Sequence, residues 1–182
     1  MTTETPERTR TTEGLAWIRE IGAAERWLAV LVTLRPSEST HALADPSVSV
    51  VNAGVLPHPV TGEPVVAFVA RGATAKLVNL RARPRATLVF RAGWEWIAVR
   101  GPVELAGPDD PLPGVTDEPG RLRVLLRDIY TAAGGSHPDL GEYDRVMTAD
   151  RRTAVLLTPE RFTTNPPGAE HVEPTTPKES SR

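Results

Sequence analysis

Residues 65–105 carry the sequence VVAFVARGATAKLVNLRARPRATLVFRAGWEWIAVRGPVEL, which contains the strongest secondary-structure signals of the chain. Three apolar runs rich in β-branched residues predict strands, at 65–71, 85–91 and 94–105. Between the first two runs, residues 75–83 predict a short helix that stops before Pro84, because the residue that precedes a proline disfavours helical geometry. The short Arg-Ala-Gly-Trp connection between the last two runs predicts a hairpin.

The rest of the chain supplies further strands and helices. Strands are predicted at 27–35, 47–55 and 153–164, and helices at 14–27, 121–133 and 140–152. In the first helix, apolar residues at three-residue spacing predict the buried face, which is Leu15, Ile18, Ile21 and Ala24.

The order of these elements favours a barrel. Strands that do not alternate regularly with long helices argue against a doubly wound parallel sheet, and short turns between neighbouring strands favour antiparallel pairing. The sequence therefore predicts a mainly β protein with helices, of the α+β class, in which about six antiparallel strands form a closed or half-closed barrel. Because the strands are apolar on both faces, a helix or a second subunit is expected to cover the outside of the barrel.

The composition limits the classes of function. The 182 residues carry a net charge of −2, so the chain lacks the basic excess that is typical of nucleic-acid-binding proteins. Cysteine is absent, which excludes disulfides and thiolate chemistry. No apolar run is long enough to span a bilayer and the polar N-terminus lacks the apolar core of a secretory signal, so we expect a cytoplasmic protein. One domain is expected at 13–164, between disordered tails at 1–12 and 165–182.

The turn before the short helix is a candidate anion-binding site. Thr74 is placed to cap the helix, with its hydroxyl accepting from N–H groups of the first turn. That turn contains Lys76, one of only two lysines in the chain, and no acidic residue. A cation at the positive end of the helix dipole is unfavourable, and the conflict disappears if the N–H groups, Thr74 and Lys76 hold an anion, with Arg71 as a further contact. The alternative is a capped surface helix with a solvated lysine.

Two other segments offer surfaces for a planar ligand. Asn52, followed by Ala53 and Gly54, would let a strand backbone approach a flat ring closely, although an ordinary strand end and turn explains the same residues. Trp94 and Trp96 are expected on one face of their strand. Packing in the core or in a dimer contact is the main expectation for these two residues, and direct contact with a ligand is the alternative.

Residues with catalytic or metal-binding chemistry of their own are scarce. The four histidines show no metal-ligand spacing, and neither a Ser-His-Asp set nor a Gly-x-Ser-x-Gly motif can be assembled. The acids of the 140–152 helix, Glu142, Asp144 and Asp150, are expected on its solvated face, and the arginines of 81–91 are expected on a solvated surface rather than on nucleic acid. If the protein is an enzyme, a bound cofactor is therefore expected to carry the reaction.

The order of these segments resembles the pyridoxamine 5′-phosphate oxidase-like split β-barrel superfamily, and within it the actinobacterial flavin/deazaflavin oxidoreductases that use coenzyme F420. The resemblance covers roughly residues 14–164. Its most characteristic part is the lysine, Asn-Leu-Arg, Arg-Pro and following strand of 76–90, and then the tryptophan-rich strand that ends in glycine. It implies a six-stranded antiparallel split β-barrel, like that of FMN-binding proteins, and a homodimer with two cofactors in grooves at the interface.

The resemblance also implies which residues contact the cofactor phosphate. Lys76 and Thr74 would bind the phosphate, with Arg71 as a weaker candidate. The pyridoxamine-phosphate oxidases proper have an Arg-x-Val-Leu-Leu-Lys phosphate motif, whereas residues 71–76 of this chain are RGATAK. Pyridoxamine phosphate is therefore not the expected substrate.

The implied contacts with the cofactor ring come from two strands. Asn52 and its neighbours Ser49 and Val51 would face the ring. Trp94 or Trp96 would come from the partner subunit or form a wall of the substrate pocket.

The function that the resemblance implies is an F420-dependent oxidoreductase that transfers a hydride to an activated C=C or C=N bond of a small molecule. An FMN-dependent enzyme and a non-catalytic flavin, deazaflavin or haem carrier are alternatives on the same barrel, and a barrel that binds a macromolecule through its arginines is a third. Neither nucleic acid nor a membrane is an expected partner. The long acidic tail of F420 would need several cations along one path, for which Lys76, Arg71 and Arg81 are candidates.

Overall fold

In the computed structural model, residues 6–36 and 45–165 are described, with side chains from residue 11 onward. The helices are α1 (Pro6–Ala24), α2 (Ala75–Ala82), α3 (Arg121–Ala132) and α4 (Leu140–Ala149). The strands are β1 (Leu28–Leu34), β2 (Pro46–Pro57), β3 (Pro64–Ala70), β4 (Arg85–Ala92), β5 (Glu95–Ala106), β6 (Thr153–Leu157) and β7 (Arg161–Thr164).

Six of the strands form a closed antiparallel barrel. The order is β4-β1-β2-β3-β6-β5, and pairing of β4 with β5 closes the ring, while β7 adds to the outer edge of β5. Every pairing is antiparallel. The predicted six-stranded antiparallel barrel is thus confirmed.

Strand β2 serves both halves of the barrel. Its residues 46–52 pair with β1, and its residues 53–57 pair with β3. The pairing partner of β2 therefore changes from β1 to β3 between Asn52 and Ala53. Each half of β2 is paired along one of its two edges only. This change of neighbour is the split of the barrel.

Two apolar clusters hold the fold together. One fills the barrel and includes Leu15, Ile18 and Ile21 of α1, because that helix packs against strands β2, β4, β5 and β7. The other lies between the outer surface of β3 and β6 and the apolar face of α3, where Leu125, Leu126 and Ile129 are buried.

The structure corrects several boundaries. Helix α1 begins at Pro6, so residues 6–12, predicted to be disordered, are helical, consistent with the preference of proline for the first helical position. The rest of the predicted tails lies outside the described residues. Ala24 is exposed rather than buried, because α1 ends there. The single strand predicted at 153–164 is two strands, β6 and β7, separated by the Pro-Glu corner.

No helix in the described part of the chain is both long and apolar enough to cross a bilayer.

Candidate functional site

The turn that leads into α2 leaves the start of that helix uncapped. The Thr74 hydroxyl donates to the carbonyl of Arg71 at 2.9 Å and makes no bond to the first-turn N–H groups. The prediction that Thr74 accepts from those groups is therefore wrong. Ala73, just before it, has a φ of 59°, which sets the direction in which the chain enters the helix. The result is a helix N-terminus whose first N–H groups have no side-chain cap.

Lys76 is the cation of this turn. Its side chain is half-buried, no acidic residue lies in the first turn of α2, and Lys76 takes part in none of the ion pairs among residues 11–36 and 45–165. Its charge adds to the positive end of the helix dipole. This end of α2 therefore presents positive charge that the described part of the chain does not neutralise.

The two arginines expected to assist Lys76 are already paired. Arg71 Nη2 lies 3.1 Å from Asp150 Oδ1, at the end of α4. Arg81 binds Asp110 through two contacts, Nε–Oδ1 at 2.7 Å and Nη2–Oδ2 at 2.8 Å. The hydrogen bond and the charge of Asp110 raise the pKa of the Arg81 guanidinium. Of the three candidate cations, only Lys76 is left without an acid.

Asp150 connects this turn to a second arginine. Its Oδ2 accepts from Arg152 Nη2 at 2.9 Å, while its Oδ1 faces Arg71. Asp144 likewise binds Arg127 of α3. The prediction that the acids of this helix form a solvated face is therefore wrong for Asp144 and Asp150, which hold arginines of neighbouring segments.

A cavity of about 680 Å³ lies beside Arg152, between the end of α1, strands β2 and β3, and helices α3 and α4. Its polar wall includes Asn52, Arg26 and Arg152, and its aromatic wall includes Trp27, Tyr130 and Tyr143. The volume is within the range that holds a cofactor ring or a small substrate. Asp150 links Arg152, which lines the cavity, to Arg71 in the turn before α2, although residues 71–76 do not themselves line the cavity.

The structure separates the three residues predicted to face a ring. Asn52 is exposed at the cavity, and its Nδ2 donates to the carbonyl of Arg26 at 2.9 Å. Ser49 and Val51 alternate with it on β2, so their half-buried side chains point toward the barrel interior and only their backbone faces the outside. Gly54 does not leave room for a ring, because a Cβ there would lie 2.3 Å from the Ala132 carbonyl carbon of α3.

The two tryptophans lie elsewhere. Trp94 is an exposed residue of the β4–β5 turn rather than of the strand, while Trp96 is half-buried and pairs with Arg91 across the ladder. Neither tryptophan is among the residues that line the cavity. Within one protomer, the structure therefore does not bring these residues to the cavity.

Sequence reasoning missed most of the cavity wall. Arg26 and Trp27 were assigned to a helix end and a strand start, yet both have positive φ, 54° and 59°. Tyr130 and Tyr143 come from two helices that were predicted only as packing elements. The signal that could have revealed this region is the Gly134-Gly135 pair after α3, which leaves space beside an aromatic residue.

Tyr143 is the buried member of the tyrosine pair. Its ring centroid lies 4.9 Å from that of Tyr130, and its hydroxyl donates to the Leu126 carbonyl at 3.0 Å. Burial raises the pKa of Tyr143 to about 12. The side chain therefore stays a neutral phenol near neutral pH.

Among residues 11–36 and 45–165, no group of three or more His, Asp or Glu side chains is placed to hold a metal ion.

Solved structures of other proteins share the fold of this chain. No protein-family model and no curated protein matches the chain. A pyridoxamine 5′-phosphate oxidase-related, FMN-binding protein from Nostoc punctiforme has a TM-score of 0.54 at 15% identity, over 90% of this chain and 86% of that protein. A protein of unknown function from Agrobacterium tumefaciens has a TM-score of 0.54 at 18% identity, over 90% of this chain, which spans only 60% of that protein.

A third solved structure is a heme-binding protein from Mycobacterium smegmatis, with a TM-score of 0.51 at 18% identity over 84% of this chain and 53% of that protein. Likeness at these identities concerns the fold. The closed barrel, its split at β2 and these similarities agree with the sequence-based expectation. The chain therefore has the split β-barrel fold of the pyridoxamine 5′-phosphate oxidase-related proteins.

Proposed function

We propose that this protein binds a phosphate-bearing deazaflavin or flavin and works as an oxidoreductase on a small-molecule acceptor. Coenzyme F420 is the first candidate, because the order of the lysine, Asn-Leu-Arg and Arg-Pro segments resembles the proteins that use it. FMN is the alternative. One observation carries the proposal, which is the uncapped start of α2 with Lys76 beside it and no acid in its first turn.

The residues at the start of α2 fit a phosphate. N–H groups at a helix N-terminus point toward a bound anion, and the helix dipole favours negative charge there. The Lys76 ammonium adds a charge-assisted contact. Because Arg71 and Arg81 are paired with acids, Lys76 is the main cation for the phosphate and the arginines are secondary.

The cavity supports the proposal as the place of the reacting groups. Asn52 lies at its edge, where β2 leaves one neighbour for the other, and Arg152 joins it to the α2 turn through Asp150. When bound, a reduced deazaflavin or flavin supplies a hydride, and an activated C=C or C=N acceptor takes up that hydride together with one proton. The chain's own part is to orient both molecules and to exclude water.

We also propose that the protein is a homodimer. The outer face of β1 and β2 exposes a contiguous set of apolar residues, Leu28, Val30, Val48 and Val50. A large exposed apolar patch on a protein surface marks an interaction site. An identical face on a second copy would bury it symmetrically, with Asn52 at its border.

A non-catalytic carrier is the second candidate. The similarity to a heme-binding protein favours a carrier. Among carriers, we prefer one that binds a flavin or deazaflavin to one that binds haem, because of where the described histidines lie. His58, buried in the β2–β3 turn, accepts from the N–H groups of Val60 and Thr61, and neither it nor His137 lines the cavity.

The test is to titrate the purified protein separately with F420 and with FMN and to follow fluorescence polarisation. Binding of either supports the proposal, and the tighter ligand identifies the cofactor. Failure of both to bind would overturn it. Binding without turnover on a panel of enones and quinones would instead favour the carrier.

A further inference from the structure

The aromatic wall of the cavity is built around one strained residue. Trp27 has a φ of 59°, a conformation that is a genuine outlier for a bulky side chain. Its indole fills the space left by two glycines, since a Cβ at Gly22 or at Gly134 would lie 2.7 Å from an indole carbon. The ring is thus clamped between the ends of α1 and α3. Backbone strain of this kind persists only where the surrounding structure imposes it, and it is concentrated at ligand sites.

Two tyrosines also line the cavity. The rings of Tyr130 and Tyr143 lie 4.9 Å apart with an interplanar angle of 32°. Their hydroxyls donate to the carbonyls of Ser136 and Leu126. Because both phenols are occupied by the backbone, the tyrosines offer the cavity ring surfaces rather than polar groups. Flat aromatic walls favour a planar ligand.

Of the two arginines that line the cavity, Arg152 is paired with an acid and Arg26 is not paired with any described acid. Arg152 is half-buried and bound to Asp150. Arg26 is exposed, and its guanidinium has neither an ion pair nor a hydrogen bond with any residue of 11–36 and 45–165. The backbone of Arg26 is held in place, however, because its carbonyl accepts from Asn52. A guanidinium that no acid neutralises, at the edge of an aromatic cavity, favours a carboxylate or a similar planar anion.

We infer that the cavity accepts a planar conjugated molecule that carries a carboxylate, with the ring against the aromatic residues Trp27 and Tyr130 and the carboxylate on Arg26. This inference rests on the proposed function, for which it specifies the class of acceptor. The ring makes van der Waals contact with the aromatic wall. The anionic group sets the orientation of the ring, since of the two arginines that line the cavity only Arg26 is not paired with an acid among the described residues.

The test uses two probes of nearly the same shape, naphthalene carboxylate and naphthalene carboxamide, measured by isothermal titration calorimetry. The wild-type protein is expected to bind the carboxylate about tenfold more tightly than the amide, as one charge-assisted contact would give. Arg26→Gln should abolish this preference and leave the affinity for the amide unchanged. Arg19→Gln is the matched control, because Arg19 is also an exposed arginine of the same segment but does not line the cavity.

Equal affinity of the wild-type protein for the two probes would overturn the inference, and so would a carboxylate preference that survives Arg26→Gln. F420 and FMN titrations of the same variants separate the inference from the proposed function. If Arg26→Gln binds cofactor as the wild type does but leaves the probe preference intact, only the inference fails. If no cofactor binds while the preference depends on Arg26, the cavity remains a site for planar anions and the proposed function fails.

Discussion

Arg81 and Asp110 form a two-point ion pair between α2 and the loop after β5, with the Asp110 carboxylate only 7% exposed. Removing one partner of a buried pair leaves an unpaired buried charge, which is strongly destabilising. This pair joins the helix that carries Lys76 to the barrel. It is therefore a structural contact near the proposed phosphate site rather than part of a cationic path.

Asp110→Ala is expected to lower the free energy of unfolding by roughly 2 kcal/mol, because Arg81, which is itself partly exposed, loses its charge-assisted hydrogen bonds to Asp110. Urea denaturation followed by circular dichroism measures the change. Asp109→Ala is the control. Asp109 also pairs with an arginine, Arg151, but both side chains are about half exposed, and such a pair contributes about 1 kcal/mol or less. Equal losses in the two variants would contradict the structural role of Asp110.

Lys76→Ala is expected to reduce the affinity for the cofactor at least tenfold, because the phosphate loses its charge-assisted contact. The fold should be retained and its stability should rise by a few tenths of a kcal/mol, since a cation leaves the positive end of α2. Fluorescence polarisation and thermal denaturation measure the two effects. The control is Lys178→Ala, which removes the chain's other lysine. Unchanged affinity in Lys76→Ala would leave Lys76 as an ordinary surface residue.

Val50→Glu is expected to convert the proposed homodimer to a monomer, because it places a charge in the middle of the apolar face of β1 and β2. Analytical ultracentrifugation measures the mass in solution. Val60→Glu makes the same exchange in the β2–β3 turn, where the valine is 53% exposed, against 61% for Val50. A monomeric wild-type protein, or dissociation of both variants, would argue against this interface.

Because the pKa of Tyr143 is raised, the folded protein is expected to lose stability at alkaline pH. Because burial raises its pKa to about 12, the folded chain keeps the phenol proton at a pH where the unfolded chain, with an ordinary pKa of about 10, has lost it. The contribution is complete below pH 10 and is lost as the pH rises toward 12, by roughly 1.4 kcal/mol for each pKa unit. Tyr130→Phe leaves Tyr143 as the only tyrosine, so the absorbance of its phenolate gives the pKa directly. A midpoint near 10 would refute the shift.

The barrel could be predicted from the sequence because its signals are local. The stretch 65–105 contains three strands, a helix that stops at a proline and a glycine turn between the last two strands, and each feature depends on neighbouring residues. The break of the last strand into β6 and β7 was anticipated only as a Pro-Glu corner. The early start of α1 was missed, because its first turns are polar and carry no apolar periodicity.

Only the part of the candidate site that depends on local sequence signals could be predicted. Lys76 stood out because its conflict with the helix dipole is local. The cavity brings Trp27, Tyr130 and Arg152 together from three distant segments, and no spacing in the sequence records that meeting. Ion pairs between distant segments leave no local pattern either, so the sequence predicts a surface acid at Asp150, whereas the structure shows Asp150 paired with two arginines, Arg71 and Arg152.

The change of neighbour along β2 has a practical consequence for redesign. The outward positions of its first half, Val48, Val50 and Asn52, are exposed, whereas the residues that seal the core, Ala53 and Gly54, belong to the second half. The outward side chains of the first half can therefore be exchanged to test the proposed dimer face and ligand contacts, while the buried second half keeps its packing. In β2, the exposed positions available for contacts and the buried positions that pack the core lie in adjacent but separate halves of the strand.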